Sequence, residues 1–162
     1  MDVVPHRIRP IRPDDKAALE RFHARLSPDA RYRRYHGIKG DLTRGDLRLL
    51  TETDDVTHIA RVAVDEAGEI GAVARVIAER EGDAAELAVV VADDRQGMGL
   101  GERVTVAALT AYGERGNEGP VVALVQHDNG RALRLFSRLG GRPGRPHAPG
   151  DPVPILLPVG RG

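Results

Sequence analysis

Residues 86–104 read ELAVVVADDRQGMGLGERV and join an apolar strand to a helix through a glycine-rich turn. The run at 87–91 is short, apolar and rich in valine, which favours a buried strand. Gly97, Gly99 and Gly101 then alternate with other residues before helix-forming sequence resumes. Because glycine carries no Cβ, such a turn exposes several backbone N–H groups beside the positive end of the following helix. This arrangement suits a pyrophosphate group.

Two familiar phosphate-binding motifs do not fit this turn. A P-loop requires Gly-Lys-Ser/Thr, but Gly101 is followed by Glu102 and Arg103. A dinucleotide-binding fingerprint requires a third glycine where Glu102 stands, and it belongs to the first βαβ unit of a domain. This turn instead follows three predicted strands, so both motifs are excluded.

The periodicity of the remaining chain predicts the element order β-α-α-β-β-β-α-β-α-β within a single domain, 1–162. Short connections between the three strands before the glycine turn predict antiparallel pairing. Pro10 places the first strand at a sheet edge. A second helix is predicted at 27–37, with a further helical turn or two after it, and the Pro/Gly-rich segment 142–152 is predicted to be a loop.

The composition excludes several kinds of site. The chain has no cysteine, which excludes a disulfide scaffold, a thiolate zinc site and a cysteine nucleophile. Its 24 basic and 24 acidic residues balance, and no apolar run is long enough to span a membrane. The segment RYRRYHG combines arginine with tyrosine, but its helical spacing favours packing over base stacking. We expect a cytoplasmic protein with no nucleic-acid or membrane partner and no metal.

The glycine turn belongs to a longer pattern, Gln96-x-x-Gly99-x-Gly101, that follows the apolar strand. Further along, HDNGRALRLFSRLGG at 127–141 matches most of a second pattern, Asn-x-x-Ala-x-x-Leu-Tyr-x-x-x-Gly-Phe. With both motifs in this order, the chain resembles the GNAT superfamily of acetyl-CoA-dependent N-acetyltransferases over nearly its whole length. The resemblance implies an α/β fold with a central mixed, mostly antiparallel twisted sheet of about six or seven strands and about four helices.

The resemblance also implies which residues bind acetyl-CoA. The turn residues that would hold its pyrophosphate are Gln96, Gly97, Met98, Gly99, Leu100, Gly101 and Glu102. The backbone of Val89, Val90 and Val91 would pair with the pantetheine arm like an added strand, and Asn129 would contact the cofactor from the end of the next strand. The alternative is that the glycines only close a tight turn. The arginines that form either a solvated face or a site for the 3′-phosphate are Arg131, Arg134, Arg138, Arg142 and Arg145.

Two residues of the second motif depart from the family pattern. Phe136 replaces the tyrosine that often protonates the leaving thiolate, and Gly141 replaces the final phenylalanine. A phenyl ring cannot donate a proton. A thiol pKa of about 8.5 makes thiolate a tolerable leaving group, so we expect water to serve instead.

Acetyl transfer to an amine needs a base, because lysine is mostly protonated near neutral pH. Glu86 opens the apolar strand, so we expect apolar neighbours to disfavour its charged form and make it the candidate catalytic base. The alternative is that Glu86 is an acid at the surface end of the strand.

Within the superfamily, residues 85–101 and 26–37 resemble the acetyltransferase domain of bacterial protein lysine acetyltransferases, in which the matching glutamate is the general base. The resemblance implies direct attack by a primary amine, from a protein lysine, in a ternary complex with acetyl-CoA. Val89 or its neighbour would offer an amide to the developing oxyanion. The alternatives are a small-molecule amine or protein N-terminus as acceptor, a non-catalytic acyl-CoA-binding sensor, which Phe136 makes credible, and a nucleotide-binding module. A homodimer is compatible with the resemblance.

Overall fold

The computed structural model describes residues 4–28, 41–78, 84–117 and 119–159. Its strands are β1 (His6–Pro10), β2 (His58–Asp65), β3 (Ile70–Ile77), β4 (Ala85–Val91), β5 (Val121–Val125), β6 (Arg142–Pro143) and β7 (Val153–Leu157). Its α-helices are α1 (Lys16–Arg25), α2 (Arg44–Thr51), α3 (Leu100–Glu114) and α4 (Gly130–Arg138), with 3₁₀ helices at Pro13–Asp15 and Asp93–Arg95.

The strands form one seven-stranded sheet in the order β1-β2-β3-β4-β5-β7-β6. Neighbouring strands are antiparallel, except that β4 and β5 run parallel. With four α-helices in the described part of the chain, this mixed, mostly antiparallel sheet confirms the predicted fold class. Pro10 does lie in an edge strand, where its missing N–H breaks no internal ladder.

The prediction of a loop throughout 142–152 is wrong at its start. Arg142 and Pro143 form the short strand β6, which pairs with Leu156 and Ile155 of β7. Two residues are too short to show a strand periodicity, and proline is tolerated because β6 is the second edge of the sheet. The predicted helix at 27–37 lies almost entirely outside the described residues. The helical turn expected after it is α2, whose first turn carries a capping box between Thr43 and Asp46.

Two hydrophobic clusters pack against the two faces of the sheet. On the face here called the back, α3 and α4 contribute Val104 and Phe136 to a cluster that includes Leu87 of β4. On the opposite face, here called the front, α1 contributes Leu19 and Phe22 against β2, β3 and β4. The alternation of β4 therefore sends side chains at successive positions to opposite faces, as the strand period requires.

The turn before β2 is closed by Asp54. Its carboxylate accepts hydrogen bonds from the hydroxyl of Thr57 and from the backbone N–H groups of Val56, Thr57 and His58. The Thr57 hydroxyl contributes most, and together these donors hold the pKa of Asp54 well below its usual range. The charged form of Asp54 is therefore part of the folded structure.

Candidate functional site

A cleft of about 550 Å³ opens where β4 and β5 separate. The two strands pair only from Ala85 with Val121 to Leu87 with Ala123, although both continue beyond that point. The predicted site residues that line the cleft are Glu86, Val89, Val90, Val91, Gln96, Gly97, Gly99, Gly101, Glu102 and Asn129. The fold therefore brings together residues from four separate elements that the sequence linked only by motif.

The exposed edge of β4 presents main-chain groups to this cleft. The N–H of Ala85 donates to the carbonyl of Pro120, so it points toward β5, whereas the N–H of Ala92 donates to Gly71 on the β3 side. Because backbone groups alternate along a strand, those of Val89 and Val91 also point toward β5, beyond the last paired position. The pairing with β3 continues to Val91, so this edge is held in an extended conformation.

Val90 differs from its two neighbours in this respect. The same alternation directs its backbone groups to β3, and its side chain belongs to the front cluster. The part predicted for Val90 in pairing with a pantetheine arm therefore has no main-chain group on the open edge. Val89 and Val91 retain that prediction.

The glycine turn positions a second set of free main-chain donors. Gly97 and Gly99 have φ values of 82° and 75°, and Gly99 is the N-cap of α3. A Cβ at either position would meet nothing within 4 Å, so backbone conformation, rather than crowding, favours glycine there. The first helical bond of α3 runs from Arg103 to the carbonyl of Gly99. Among the described residues, the N–H groups of 97–102 have no protein acceptor.

Gly101 serves a different purpose. Its Cβ would lie 3.2 Å from Val91 Cγ2 and 3.6 Å from Leu135, so the missing side chain lets α3 pack closely on β4 and α4. Leu100 is buried and Met98 packs against the back cluster, so neither side chain lines the cleft. For these two predicted residues, the main chain alone is placed to meet a ligand.

The turn is tied to α4 across the cleft. Arg131 Nη1 donates a hydrogen bond to Gln96 Oε1, and Arg138 lies 3.8 Å from Glu102. Asn129 is the N-cap of α4 and accepts the N–H of Ala132 at 3.3 Å. The side-chain oxygen of Asn129 thus caps the helix whose arginines line one side of the cleft.

Arg95, directly before the glycine turn, contacts one side chain from β1 and one from β2. Arg95 contacts His6 Nε2 through Nη1 at 3.0 Å and Asp65 Oδ2 through Nη2 at 3.1 Å. His6 Nδ1 lies 2.7 Å from the carbonyl of Val4, which can only accept, so Nδ1 donates and Nε2 is free to accept from Arg95. Gly71 makes room for this contact, since its Cβ would lie 2.7 Å from His6 Nε2.

The carboxylate of Asp65 is held in its charged form by the same contacts. Burial alone would raise the pKa of Asp65, but hydrogen bonds from the N–H of Glu69, from Arg95 and from the N–H of Ala67 leave it lowered. Sequence separation hid this network, because Arg95 and His6 are 89 positions apart. The signal in the sequence for this network was Arg95, a polar residue directly before the Gln96-x-x-Gly99-x-Gly101 pattern.

Asp93 closes the front of the cleft, where it accepts hydrogen bonds from Ser27 N and Ser27 Oγ at 2.9 and 3.3 Å. No motif in the sequence indicates this contact, which joins the residue after α1 to the turn that follows β4. Ser27 and Asp93 both line the cleft.

Glu86 lies at the base of the cleft with its side chain on the front face. The prediction of an apolar enclosure is wrong, because Glu86 is exposed. Its neighbour on β5, Val122, is only half-buried, so the sheet beside Glu86 is not closed over by the core. The exposure of Glu86 agrees with the alternative, an acid at the surface end of the strand. The role of Glu86 as catalytic base stays a prediction.

The glycine turn joins strand β4 to helix α3, as the first motif predicted, and it lies beside the gap that opens between the parallel strands β4 and β5. A family model of the acetyltransferase (GNAT) domain matches residues 7–142. The chain belongs to the GNAT acetyltransferases. This finding confirms the prediction of an N-acetyltransferase.

Solved structures of GNAT proteins share this fold. The GNAT domain of S. lividans PAT is 26% identical with a TM-score of 0.85, and the match covers 96% of this chain and 94% of that one. The cAMP-binding acyltransferase from Mycobacterium smegmatis is 27% identical with a TM-score of 0.63, over 96% of this chain but 44% of that protein. This chain therefore spans less than half of the M. smegmatis protein.

A third structure, yncA from Salmonella typhimurium with its cofactor acetyl-CoA, is 19% identical with a TM-score of 0.71, over 94% of this chain and 91% of that one. At that identity the likeness shows the fold alone. Among proteins with curated descriptions, none matches the chain.

The departures from the second GNAT motif have a structural setting. Phe136 is 4% exposed and lines the cleft, and its carbonyl accepts the N–H of Gly141 at 2.8 Å. A Cβ on Gly141 would lie 2.7 Å from Ile155 Cγ2, so this backbone leaves no room for the family's phenylalanine. Tyr112, the one tyrosine among the described residues, is buried in the back cluster, and this burial raises its pKa. It does not line the cleft and cannot replace the missing hydroxyl.

In the described part of the chain, no helix is long and apolar enough to cross a lipid bilayer. Over the same residues, no three His, Asp or Glu side chains gather as a metal site would require.

Proposed function

We propose that this GNAT domain transfers an acetyl group from acetyl-CoA to the side-chain amine of a protein lysine. The observation that carries the proposal is the conjunction, around one cleft, of an open β4 edge, a turn of free N–H groups and the carboxylate of Glu86. The sequence resemblance to bacterial protein lysine acetyltransferases supports lysine as the acceptor. A small-molecule amine, a protein N-terminus and a non-catalytic acyl-CoA sensor are the competing functions.

The residues fit acetyl-CoA in three respects. The unsatisfied N–H groups of the glycine turn, at the positive end of α3, suit a pyrophosphate. The edge of β4 beyond Leu87 offers the main-chain groups of Val89 and Val91 to an extended amide-bearing arm. Arg131, Arg134 and Arg138 supply positive charge to the α4 side of the cleft.

The reaction forms a nitrogen–carbon bond and breaks the carbon–sulfur bond of the thioester. The amine must first lose a proton, which costs roughly 4 to 5 kcal/mol at neutral pH for a lysine of pKa about 10.4. Glu86 accepts this proton through water, since its carboxylate is exposed. An amide on the open edge, that of Val89 or Val91, stabilises the developing oxyanion. The thiolate takes its proton from water, because Phe136 has none to give.

The test combines binding with turnover. Calorimetry with CoA, ATP and NAD should show binding of CoA alone, and preference for ATP or NAD would refute the assignment of the turn to CoA. Glu86→Gln should bind CoA like the wild type and lower kcat for a lysine peptide by about a hundredfold or more. Glu114→Gln, an exposed change at the end of α3, is the matched control and should leave both quantities unchanged.

The acceptor is tested with radiolabelled acetyl-CoA against lysine peptides, free N-terminal peptides and small amines. Preference for a small amine or an N-terminus would replace the proposed acceptor. Turnover that is equal in the wild type and in Glu86→Gln would favour the acyl-CoA sensor over the enzyme.

A further inference from the structure

In the described part of the chain, several side chains on the front face of the sheet beside Glu86 are open to solvent. Helix α1 packs on β3 on this face, but the front side chains of β5 and β7 include two large apolar residues that stay open to solvent. Leu124 is 41% exposed and Leu156 is 47% exposed. Leu124 pairs with Pro154 and Leu156 pairs with Val122, so the two leucines are diagonal neighbours on the same face. Exposed apolar residues of this size beside the proposed reaction site favour contact with a bound molecule.

The strand register aligns one row of side chains across this face. Glu86 on β4 pairs with Val122 on β5, Val122 pairs with Leu156 on β7, and Leu156 pairs with Arg142 on β6. Paired neighbours in a sheet point to the same face, so the four side chains share the front. This row, Glu86-Val122-Leu156-Arg142, is called the front row below. It has a carboxylate at one end, two apolar side chains in its middle and an exposed guanidinium at the other end.

The spacing of the front row matches an extended polypeptide laid across the strands. Adjacent strands lie about 4.8 Å apart, so three steps carry the row about 14 Å from Glu86 to Arg142. In an extended peptide, side chains on one face recur at every second residue, about 6.6 Å apart, and the fourth residue lies about 13 Å away. If the amine of a peptide lysine lies near Glu86, the residue two positions from that lysine lies over Val122 and Leu156. The residue four positions from it then reaches Arg142.

We infer that the front row selects protein acceptors in which an apolar residue lies two positions, and an acidic residue four positions, from the acetylated lysine. The inference rests on the proposed function and specifies its acceptor class. It is carried by charge complementarity at both ends of the row and by the continuity of the row with the cleft. The register fixes the spacing but not the chain direction, so both peptide orders are tested.

The experiment compares peptides that contain Lys-Ala-Leu-Ala-Glu, Lys-Ala-Ser-Ala-Glu or Lys-Ala-Leu-Ala-Arg, each also in reverse order. Acetylation is followed by mass spectrometry at saturating acetyl-CoA. In one of the two orders, kcat/KM should be about fivefold higher with the acidic residue than with arginine at the fourth position, the size expected for an exposed ion pair. It should be about threefold higher with leucine than with serine at the second position.

Two variants test whether residues of the front row cause these peptide preferences. Arg142→Glu should reverse the charge preference, and Leu156→Ser should remove the leucine preference. Neither residue lines the cleft, unlike Arg131, Arg134 and Arg138, so the CoA dissociation constant should be unchanged in both variants. Arg7→Glu is the matched control, because Arg7 is an exposed strand arginine at the opposite edge of the same sheet. It should leave every preference as in the wild type.

The outcomes separate this inference from the proposed function. CoA binding without acetylation of any peptide would overturn the proposed function and this inference with it. Equal acetylation of all peptides, or an unchanged charge preference in Arg142→Glu, would overturn this inference alone. If Leu156→Ser converts a dimer to a monomer and leaves peptide preference intact, the face binds a second copy and the inference fails.

Discussion

Substituting Gly99 by alanine tests whether the conformation of the glycine turn presents the N–H groups to the ligand. Gly99 has a φ of 75°, and a Cβ there would meet nothing within 4 Å. The change adds no clash, so its cost is backbone strain of roughly 1–2 kcal/mol. For a chain of this size, that strain lowers the melting temperature by roughly 2 to 8 °C.

Gly116 provides the matched control at the other end of the same helix. It has a φ of 82°, and its Cβ would likewise meet nothing within 4 Å. Gly116→Ala should therefore destabilise the protein by the same roughly 1–2 kcal/mol. It lies beyond the end of α3, outside the residues that line the cleft. A difference between the two variants in ligand binding then reports on position rather than on stability.

The expected difference follows from the donors that Gly99 orients. If alanine turns the N-cap and misdirects one N–H from a phosphate oxygen, the loss is that of a hydrogen bond to a charged group, about 1.5–3 kcal/mol. This corresponds to a rise in the CoA dissociation constant of about tenfold to 150-fold. Gly116→Ala should bind CoA with the affinity of the wild type.

Calorimetry measures the affinities, and thermal unfolding with and without CoA checks them independently. A saturating ligand at about a hundred times its dissociation constant stabilises the fold by about 2.7 kcal/mol, so its loss in Gly99→Ala is readily seen. Equal CoA affinity in Gly99→Ala, Gly116→Ala and the wild type would refute the reasoning. The left-handed N-cap would then be a feature of the turn and not of the ligand site.

Three further changes probe the anchor, the leaving group and the acid response. Arg95→Met, which removes the contacts to His6 and Asp65, should raise KM for acetyl-CoA by about tenfold with little change in kcat; steady-state kinetics showing a fall in kcat alone would contradict this. Phe136→Tyr should change kcat by less than about tenfold at neutral pH, because water is proposed to protonate the thiolate already; a much larger rise in a pH–rate profile would show that the hydroxyl is needed. Because the pKa of Asp54 is lowered in the folded state, its stabilisation is present above the unfolded value of about 3.9 and is lost as the pH falls below it. Calorimetry from pH 7 to 3 should therefore show a smaller fall in melting temperature for Asp54→Asn than for the wild type, and equal falls would contradict this.

The sequence predicted the features whose physical cause is local. The Gln96-x-x-Gly99-x-Gly101 turn, the valine-rich strand before it and the helix after it are adjacent along the chain, and the structure places them as expected. The same holds for Pro10 at a sheet edge, because the missing N–H of proline acts at one position. Local chemistry was enough for this part of the site.

Features that depend on distant neighbours could not be predicted in this way. Ser27 and Asp93 are 66 positions apart and have no motif in common. The exposure of Glu86 was missed for a related reason. A strand sequence shows which side chains share a face, but it does not show whether a helix covers that face, and Leu124 and Leu156 on the front of β5 and β7 are exposed.

Strand β4 presents different groups in the plane of the sheet, on its front face and on its back face, and the proposed function assigns a separate task to each. The backbone groups of Val89 and Val91 lie in the plane of the sheet and face the gap toward β5, where the thioester arm is proposed to lie. The side chain of Glu86 points to the front, where the acceptor is proposed to approach, while Leu87 points to the back and fixes the strand in the core. Since side chains leave a sheet on its faces while backbone groups lie in its plane, the carboxylate and the main-chain donors approach the cleft from different directions without any separate scaffold. A slip of one residue in the register would place Leu87 at the front and bury Glu86 against α3 and α4, so the proposed chemistry depends on the pairing with β3 that fixes this register.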